Sequence, residues 1–227
     1  MGIGIVVQAR MSSARLPGKI LMPLAGKALL ERLVERLRRV EPGLPIVVAT
    51  SRAPEDDAVE ALARSLAVGC HRGALEDVAA RLVEAARAGG FSAFVRANSD
   101  SPLLDPALVG QARDIYQEGA CDLVTNVFPR SFPKGMSVEL IAVPALERVL
   151  ESTAEAQDRE HVTRFIYANP GRFRIRNFAA RRPCPDLQLS IDTREDFERV
   201  ENCIRRLGAR AASAGWEEAA DCAKAKA

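Results

Sequence analysis

The chain is poor in aromatic residues, 5% of 227, and so lacks the stacking platforms on which single-stranded nucleic acids are read. It also lacks a surplus of charge. Its 32 Lys and Arg face 30 Asp and Glu, leaving a net charge of +2, which excludes the broad basic field of a duplex binder. No apolar run reaches the length of a membrane-spanning helix, and no charged leader with an apolar stretch behind it is visible. The five cysteines (Cys70, Cys121, Cys184, Cys203 and Cys222) are scattered, odd in number and without a Cys-x-x-Cys pair. They read as small apolar residues of a protein in a reducing cytoplasm. Two nucleotide motifs are missing as well. Gly2-Ile3-Gly4 precedes a strand instead of following one, and Gly26-Lys27-Ala28 lacks the hydroxyl residue of a P-loop, so neither a dinucleotide dehydrogenase nor a P-loop kinase is favoured.

The most telling absence is local, because no carboxylate occurs before Glu31, although Arg10, Arg15, Lys19 and Lys27 all do. These cations follow an apolar run, Ile3 to Val7, that reads as a buried strand. The segment from Gln8 to Lys19 then leaves the carboxyl end of that strand, the edge at which open α/β sheets bind ligands. Arg10 and Arg15 offer forked donors, Lys19 a point charge, and Ser12, Ser13 and the backbone around Gly18 neutral donors. Such a loop suits a polyanion, and phosphates are the expected ligand.

Short apolar runs at Ile3 to Val7, Ile46 to Ala49, Ala67 to Cys70 and Ala93 to Val95 alternate with segments of helical spacing, the pattern of an α/β protein with a parallel sheet. Apolar stripes at Leu29, Leu30, Leu33, Val34, Leu37 and Val40, at Val59, Leu62, Ala63 and Leu66, and at Val78, Leu82, Val83 and Ala86 face that sheet. Pro54 and Asp105-Pro106 mark helix starts. A strand is expected over Cys121 to Val124, another over Ser137 to Val143, helices near Pro144 to Glu151 and Arg159 to Ala168, a strand around Phe173 to Phe178, and a closing strand from Leu187 to Ile191. Thr193-Arg194-Glu195-Asp196 has the form of a capping box opening a helix through Arg206. One domain over residues 1–207 is expected, less regular between 125 and 180, with an Ala-rich tail from 208 to 227.

Two aspartates are placed to join the basic loop. Asp100 follows the strand ending at Val95, and Asp192 follows the expected closing strand. Magnesium takes one or two carboxylates together with phosphate oxygens, so this pair is a candidate metal site. Asp105 reads as a helix cap, and His71 as a residue at a strand end.

Taken together, Gln8-Ala9-Arg10-Met11-Ser12-Ser13-Ala14-Arg15-Leu16-Pro17-Gly18-Lys19, Arg72-Gly73 with Glu76-Asp77-Val78, Ser99-Asp100-Ser101-Pro102-Leu103-Leu104-Asp105, Arg159-Glu160-His161-Val162-Thr163 and Ile191-Asp192-Thr193-Arg194-Glu195-Asp196 resemble the cytidylyltransferases that make CMP-activated sugar acids. The likeness is to the spore-coat polysaccharide biosynthesis protein F branch, akin to acylneuraminate and 3-deoxy-manno-octulosonate cytidylyltransferases. It implies a three-layer α/β/α, Rossmann-like fold with a mixed, mostly parallel sheet and a small dimerisation excursion. It also implies a cytoplasmic homodimer that uses CTP and Mg²⁺ in surface polysaccharide synthesis, with no nucleic-acid or membrane partner.

By that resemblance Gln8, Ala9, Arg10, Ser12, Ser13, Arg15, Lys19, Arg72 and Asp100 bind the nucleotide, and Arg10, Arg15 and Lys19 stabilise the charge that develops. Asp100 and Asp192 hold the metal, while Glu139, Arg159, Glu160 and His161 face a small acidic-sugar acceptor. Ser99 stands where the family usually has glycine and Ser137 where it usually has aspartate, which leaves the acceptor open. Two other readings stay open: a glycosyltransferase of related fold, although Asp100-Ser101-Pro102 breaks the usual Asp-x-Asp, and a degenerate nucleotide-binding homologue.

Overall fold

In the computed structural model, which describes residues 2–119 and 121–225, a seven-stranded sheet forms the centre of the molecule. Its strands are β1 (Gly2–Gln8), β4 (Ile46–Ser51), β5 (Gly69–Gly73), β6 (Phe91–Asn98), β7 (Leu123–Thr125), β8 (Glu139–Ala142) and β9 (Ile175–Asn177). A small antiparallel ribbon, β2 (Pro23–Leu24) with β3 (Lys27–Ala28), lies apart from it. The strand order is β5-β4-β1-β6-β8-β7-β9; β5, β4, β1 and β6 are parallel to one another and β8 runs against both its neighbours.

The chain builds outward from β1 to β4 and β5, then returns to place β6 on the other flank of β1. The connections therefore diverge between β1 and β6, and a crevice opens at the carboxyl ends of these two strands. Gln8 and Asn98 are register partners there, and Ser99 N–H donates to the Gln8 carbonyl at 3.1 Å.

The strands between the two edges are buried on both faces, which explains their nearly continuous apolar runs, whereas the edge strands β5 and β9 keep exposed residues. Ile5, Val7, Val95 and Leu140 point into one core, shared with α1 (Leu29–Leu37), α2 (Asp57–Ser65), α4 (Pro106–Gln117), α8 (Arg194–Leu207) and α9 (Trp216–Lys224). Val6, Phe94 and Ile141 point into the other, shared with α3 (Val78–Ala88), α5 (Val143–Ser152) and α7 (Arg164–Ala168). This is the expected three-layer arrangement, with a mostly parallel sheet. No helix among the described residues is long and apolar enough to cross a membrane.

Local signals behave as read. Pro106 opens α4 behind Asp105, whose carboxylate accepts from Ala107 N–H at 2.9 Å, and the Thr193–Asp196 box caps α8 from both sides. Residues 208–225 pack against the body: buried Arg36 donates to the carbonyls of Leu104, Ala211 and Ala214, and Asp105 also accepts from Trp216 N–H at 2.8 Å. Residues 226 and 227 of the expected tail, like Met1, lie outside the described residues.

Three expectations are corrected. The strand expected from Ala67 begins at Gly69, because Ala67 turns through a positive φ of 51°. The helix expected over Arg159 to Ala168 is two short ones, α6 (Ala156–Glu160) and α7, broken where His161 leaves helical geometry at φ −97°, ψ 62°. Leu187 to Ile191 joins no sheet. It is pinned instead by a bridge between Lys134 and Gln188 and by Ile191 N–H donating to the Asp100 carbonyl at 2.8 Å. That apolar stretch is buried by loops on both sides, so its hydrophobicity has the same cause as a strand's without the ladder.

Candidate active site

The loop after β1 is shaped by its own backbone and by one buried carboxylate. Gly18 N–H donates to the Met11 carbonyl at 3.0 Å, and Gly18 itself adopts φ 71°, a turn that glycine makes without strain. Asp56 is 2% exposed and accepts from Met11 N–H at 2.7 Å and from Ser51 N–H at 3.0 Å, with the Ser51 hydroxyl as a further donor. Burial pushes this carboxyl up, but its hydrogen bonds outweigh that and hold it below the usual carboxylate range. Sequence reasoning did not single out Asp56. Its signal was the position, just past the carboxyl edge of β4 and next to the Pro54 helix start.

At the crevice between β1 and β6 lies a cavity of about 230 Å³, lined by Gln8, Arg10, Ser12, Ser13, Arg15 and Lys19 from the first loop and by Asn98, Ser99 and Asp100 from the loop after β6. The structure thus brings most of the expected phosphate-side residues to one place. Ala9 is buried beneath them.

Lys19 is the centre of the cluster. Its ammonium donates to the Ile191 carbonyl at 2.6 Å and lies 3.5 Å from a carboxylate oxygen of both Asp100 and Asp192. Arg15 pairs with the same Asp192 oxygen at 2.9 Å. Each aspartate side chain keeps 28% of its surface exposed, although Asp100 also accepts from the Ser101 hydroxyl at 3.0 Å and Asp192 from Gln188 at 3.3 Å. Two partly open carboxylates meeting at one point are hard oxygen donors of the number magnesium uses beside phosphates and water. The residues fit a divalent cation.

Arg10 reaches the other way and pairs with Glu160 at 3.1 Å, which carries the end of α6 to the rim. Glu139 sits at the same sheet edge, at the start of β8, and joins the cleft through Arg96: Arg96 donates to Glu139 Oε2 at 2.7 Å and to Gln8 Oε1 at 3.2 Å. The Tyr167 hydroxyl donates to Glu139 Oε1 at 2.6 Å. Burial, with Glu139 beside it, raises Tyr167 above the ordinary phenol range, so it stays protonated. His161 stands exposed between α6 and α7.

Three expected residues are not tied into this cluster: His161, Arg72 and Arg159. Arg72, on β5, has its guanidinium occupied by Asp57, Glu60 and the Ser51 and Ala53 carbonyls. Arg159 pairs with Asp77 at 3.0 Å and donates to the Thr153 and Leu150 carbonyls. Lys27, the fourth early cation, pairs with Glu31 and Glu35 on α1.

Beside the cleft, on the β4 side, is a mainly apolar hollow of about 550 Å³ between Met11, Pro17 and Gly18 of the first loop and Ala53 and Leu75 of the neighbouring loops. It has room for a flat ring.

With this geometry in hand, the comparisons with known proteins converge. The family model described as cytidylyltransferase matches residues 4–219. The spore coat polysaccharide biosynthesis protein SpsF of Bacillus subtilis is 32% identical over 212 residues, 90% of this chain and 87% of the relative. The structure of a cytidylyltransferase from Leptospira borgpetersenii superposes with a TM-score of 0.92 at 30% identity, covering 97% of this chain and 93% of the other. A CMP:2-keto-3-deoxy-manno-octonic acid synthetase complexed with CTP shares the fold at a TM-score of 0.71 and 18% identity, over 91% and 99% of the two chains.

Proposed function

Since the chain belongs to the cytidylyltransferase family and is a nucleotidyltransferase, we propose that it transfers CMP from CTP to a sugar acid or related small acceptor, releasing pyrophosphate, in the making of a surface polysaccharide. The observation that carries this reading is the meeting of Lys19 with Asp100 and Asp192 at the mouth of the β1–β6 crevice.

In the reaction an acceptor oxygen attacks the α-phosphorus in line. A phosphorus–oxygen bond forms, the bond from the α-phosphorus to the bridging oxygen breaks, and pyrophosphate leaves. The acceptor hydroxyl surrenders its proton to solvent. Such chemistry asks the protein for position and for compensation of charge more than for covalent help. Arg10, Arg15 and Lys19 meet the charge on the phosphate oxygens, with Ser12 and Ser13 as neutral donors. Asp100 and Asp192 would hold Mg²⁺, which when bound neutralises phosphate oxygens and orients the leaving group. The hollow flanked by Met11, Pro17 and Leu75 suits the base, and it lies on the side of β1 toward Arg72. Glu139, Glu160 and His161 lie on the opposite side and face the acceptor. The engaged guanidinium of Arg159 supports a structural part instead.

The five free cysteines support a reducing cytoplasm as the site of action. Phe128, the large hydrophobic residue exposed among the described ones, stacks on Tyr167 within the irregular 125–180 region and supports a homodimer contact there.

The test is direct. Purified protein with CTP and Mg²⁺ is expected to release pyrophosphate when offered 3-deoxy-manno-octulosonate or an acylneuraminate, and CTP is expected to raise its Tm where UDP- and GDP-sugars do not. Stabilisation by a nucleotide sugar but not by CTP would reverse the assignment.

A further inference from the structure

The connection from β7 to β8, residues 126–138, rises above the carboxyl edge of the sheet and is held rigidly at its base. Asn126 donates to the Met136 carbonyl at 2.8 Å and accepts from Val138 N–H at 2.9 Å. Within it, Val127 bridges Arg130, and Ser131 is tied through its carbonyl to Cys184 N–H and through its hydroxyl to Ala180 N–H. The backbone that carries Arg130 is therefore fixed.

The guanidinium of Arg130 is half-buried, yet it forms no ion pair among the described residues. Its one side-chain partner is neutral, the Ser137 hydroxyl at 3.1 Å. Burial lowers its proton affinity from the ordinary value, and Glu139 and Tyr167 oppose that. Glu139 does not cancel its charge, because both Glu139 oxygens are already engaged, one by Arg96 and the other by Tyr167. Tyr167 is held neutral. Arg96, Arg130 and Glu139 thus leave one uncompensated positive charge, partly withdrawn from water, beside the cleft. Unlike Arg36, whose buried fork is met by three carbonyls, Arg130 has a single neutral partner and so is free to take an anion.

Arg130 lies toward the acceptor side of the cleft and not over the phosphate loop. β7 is three strand spacings from β1, about 14 Å along the sheet edge, and it lies on the side away from the apolar hollow. Resting on the reading of the site as a CTP-dependent transferase, we propose that Arg130 is a specificity-determining residue that binds the carboxylate of the acceptor, with Ser137 keeping its fork free and aimed. A planar guanidinium pairs a carboxylate through two parallel hydrogen bonds, so both charge and shape are read.

The experiment measures calorimetric binding of 3-deoxy-manno-octulosonate, an acylneuraminate and the methyl ester of each to the full chain with Mg²⁺ and a non-hydrolysable CTP analogue. The wild type is expected to bind at least one acid about tenfold or more tightly than its ester, the usual worth of a charge-assisted hydrogen bond. Arg130→Met is expected to erase that preference while leaving the affinity for the CTP analogue within about twofold. Ser137→Asp, which sets a carboxylate against the fork, is expected to do the same with the loop intact. Ser137→Ala, which removes the aiming hydroxyl but adds no competing charge, is expected to narrow the preference without erasing it. If Arg130→Met retains the acid-over-ester preference, or if no acid binds a wild type that binds the analogue, the assignment of Arg130 is overturned. A wild type that fails to bind the analogue breaks the reading of the whole site instead, and the acid-to-ester ratio still reports on Arg130.

Discussion

Lys19 stands 3.5 Å from Asp100 and 3.5 Å from Asp192, residues that lie 81 and 173 positions further along the chain. One ammonium joining two distant carboxylates sets the electrostatics of the cleft. Positive charge there balances the aspartates and, in the proposed reaction, also meets incoming phosphates.

The two duties can be separated. Lys19→Ala is expected to cut pyrophosphate release by about 10²–10³-fold, the scale seen when a preorganised charge-stabilising donor is lost. Divalent cation binding is expected to survive, because both carboxylates remain. Asp100→Asn and Asp192→Asn are each expected to lose both turnover and cation binding. Mn²⁺ titration followed by electron paramagnetic resonance reads binding without turnover. Unchanged Mn²⁺ affinity in both asparagine variants would remove the metal from this site.

Asp56 should make the protein acid-sensitive. Its carboxyl is held below its unfolded value, so it contributes stability that is present above the unfolded carboxylate pKa, about 4, and is lost as pH falls through the lower folded value. Asp56→Asn, which also loses the charge-assisted bonds from Met11 and Ser51, is expected to destabilise by roughly 2–3 kcal/mol at neutral pH. The variant's unfolding free energy should change less with acid than that of the wild type between about pH 5 and pH 2. Parallel urea midpoints over that range check it; curves of equal slope would show that another group carries the acid transition.

Gly135 couples the loop between β7 and β8 to the segment holding Asp192. It adopts φ 96°, and a Cβ placed there would lie 2.6 Å from the backbone of Leu189 and Ser190. Gly135→Ala is therefore expected to cost about 2–4 kcal/mol, combining left-handed strain with a backbone clash. The yielding element would be residues 187–192, so cation affinity should fall together with Tm. A full-strength metal site in a destabilised Gly135→Ala protein would show that the two segments move independently.

Much of this was legible in the residues. The first loop announced itself because Arg10, Arg15 and Lys19 follow an apolar strand with no acid nearby, and a local composition of that kind depends little on tertiary context. Asp100 was legible for the same reason, being just past β6. What escaped was whatever depends on packing between remote segments. Leu187 to Ile191 has a strand's hydrophobicity because loops bury it, and period alone does not distinguish the two causes. The break at His161 carries no signal, since residues 159–161 hold neither glycine nor proline and the apolar pair Val162 and Ile166 just beyond keeps helical spacing. Asp56 and Arg130 carry no motif; one is recognised by the backbone it holds and the other by the partner it lacks.

The same distinction decides what Arg159 does. Resemblance assigns it to the acceptor, yet its guanidinium spans three elements. It donates to Asp77 at 3.0 Å, to the Leu150 carbonyl at 2.6 Å and to the Thr153 carbonyl at 3.1 Å, while Asp77 caps α3 by accepting from Ala80 N–H. Removing the fork leaves two carbonyls at the end of α5 without a donor and loosens the start of α3, which packs on the back of the sheet. Arg159→Ala is expected to lower stability by about 2 kcal/mol, a fall in Tm of roughly 4–8 °C for a chain of this size. The acceptor KM should move less than about threefold, well under the tenfold that a lost charged contact implies. Arg159→Lys should not restore the melting temperature, because a point charge does not span three acceptors set by a planar fork. An Arg159→Ala protein with wild-type Tm and a sharply raised acceptor KM would return Arg159 to the acceptor.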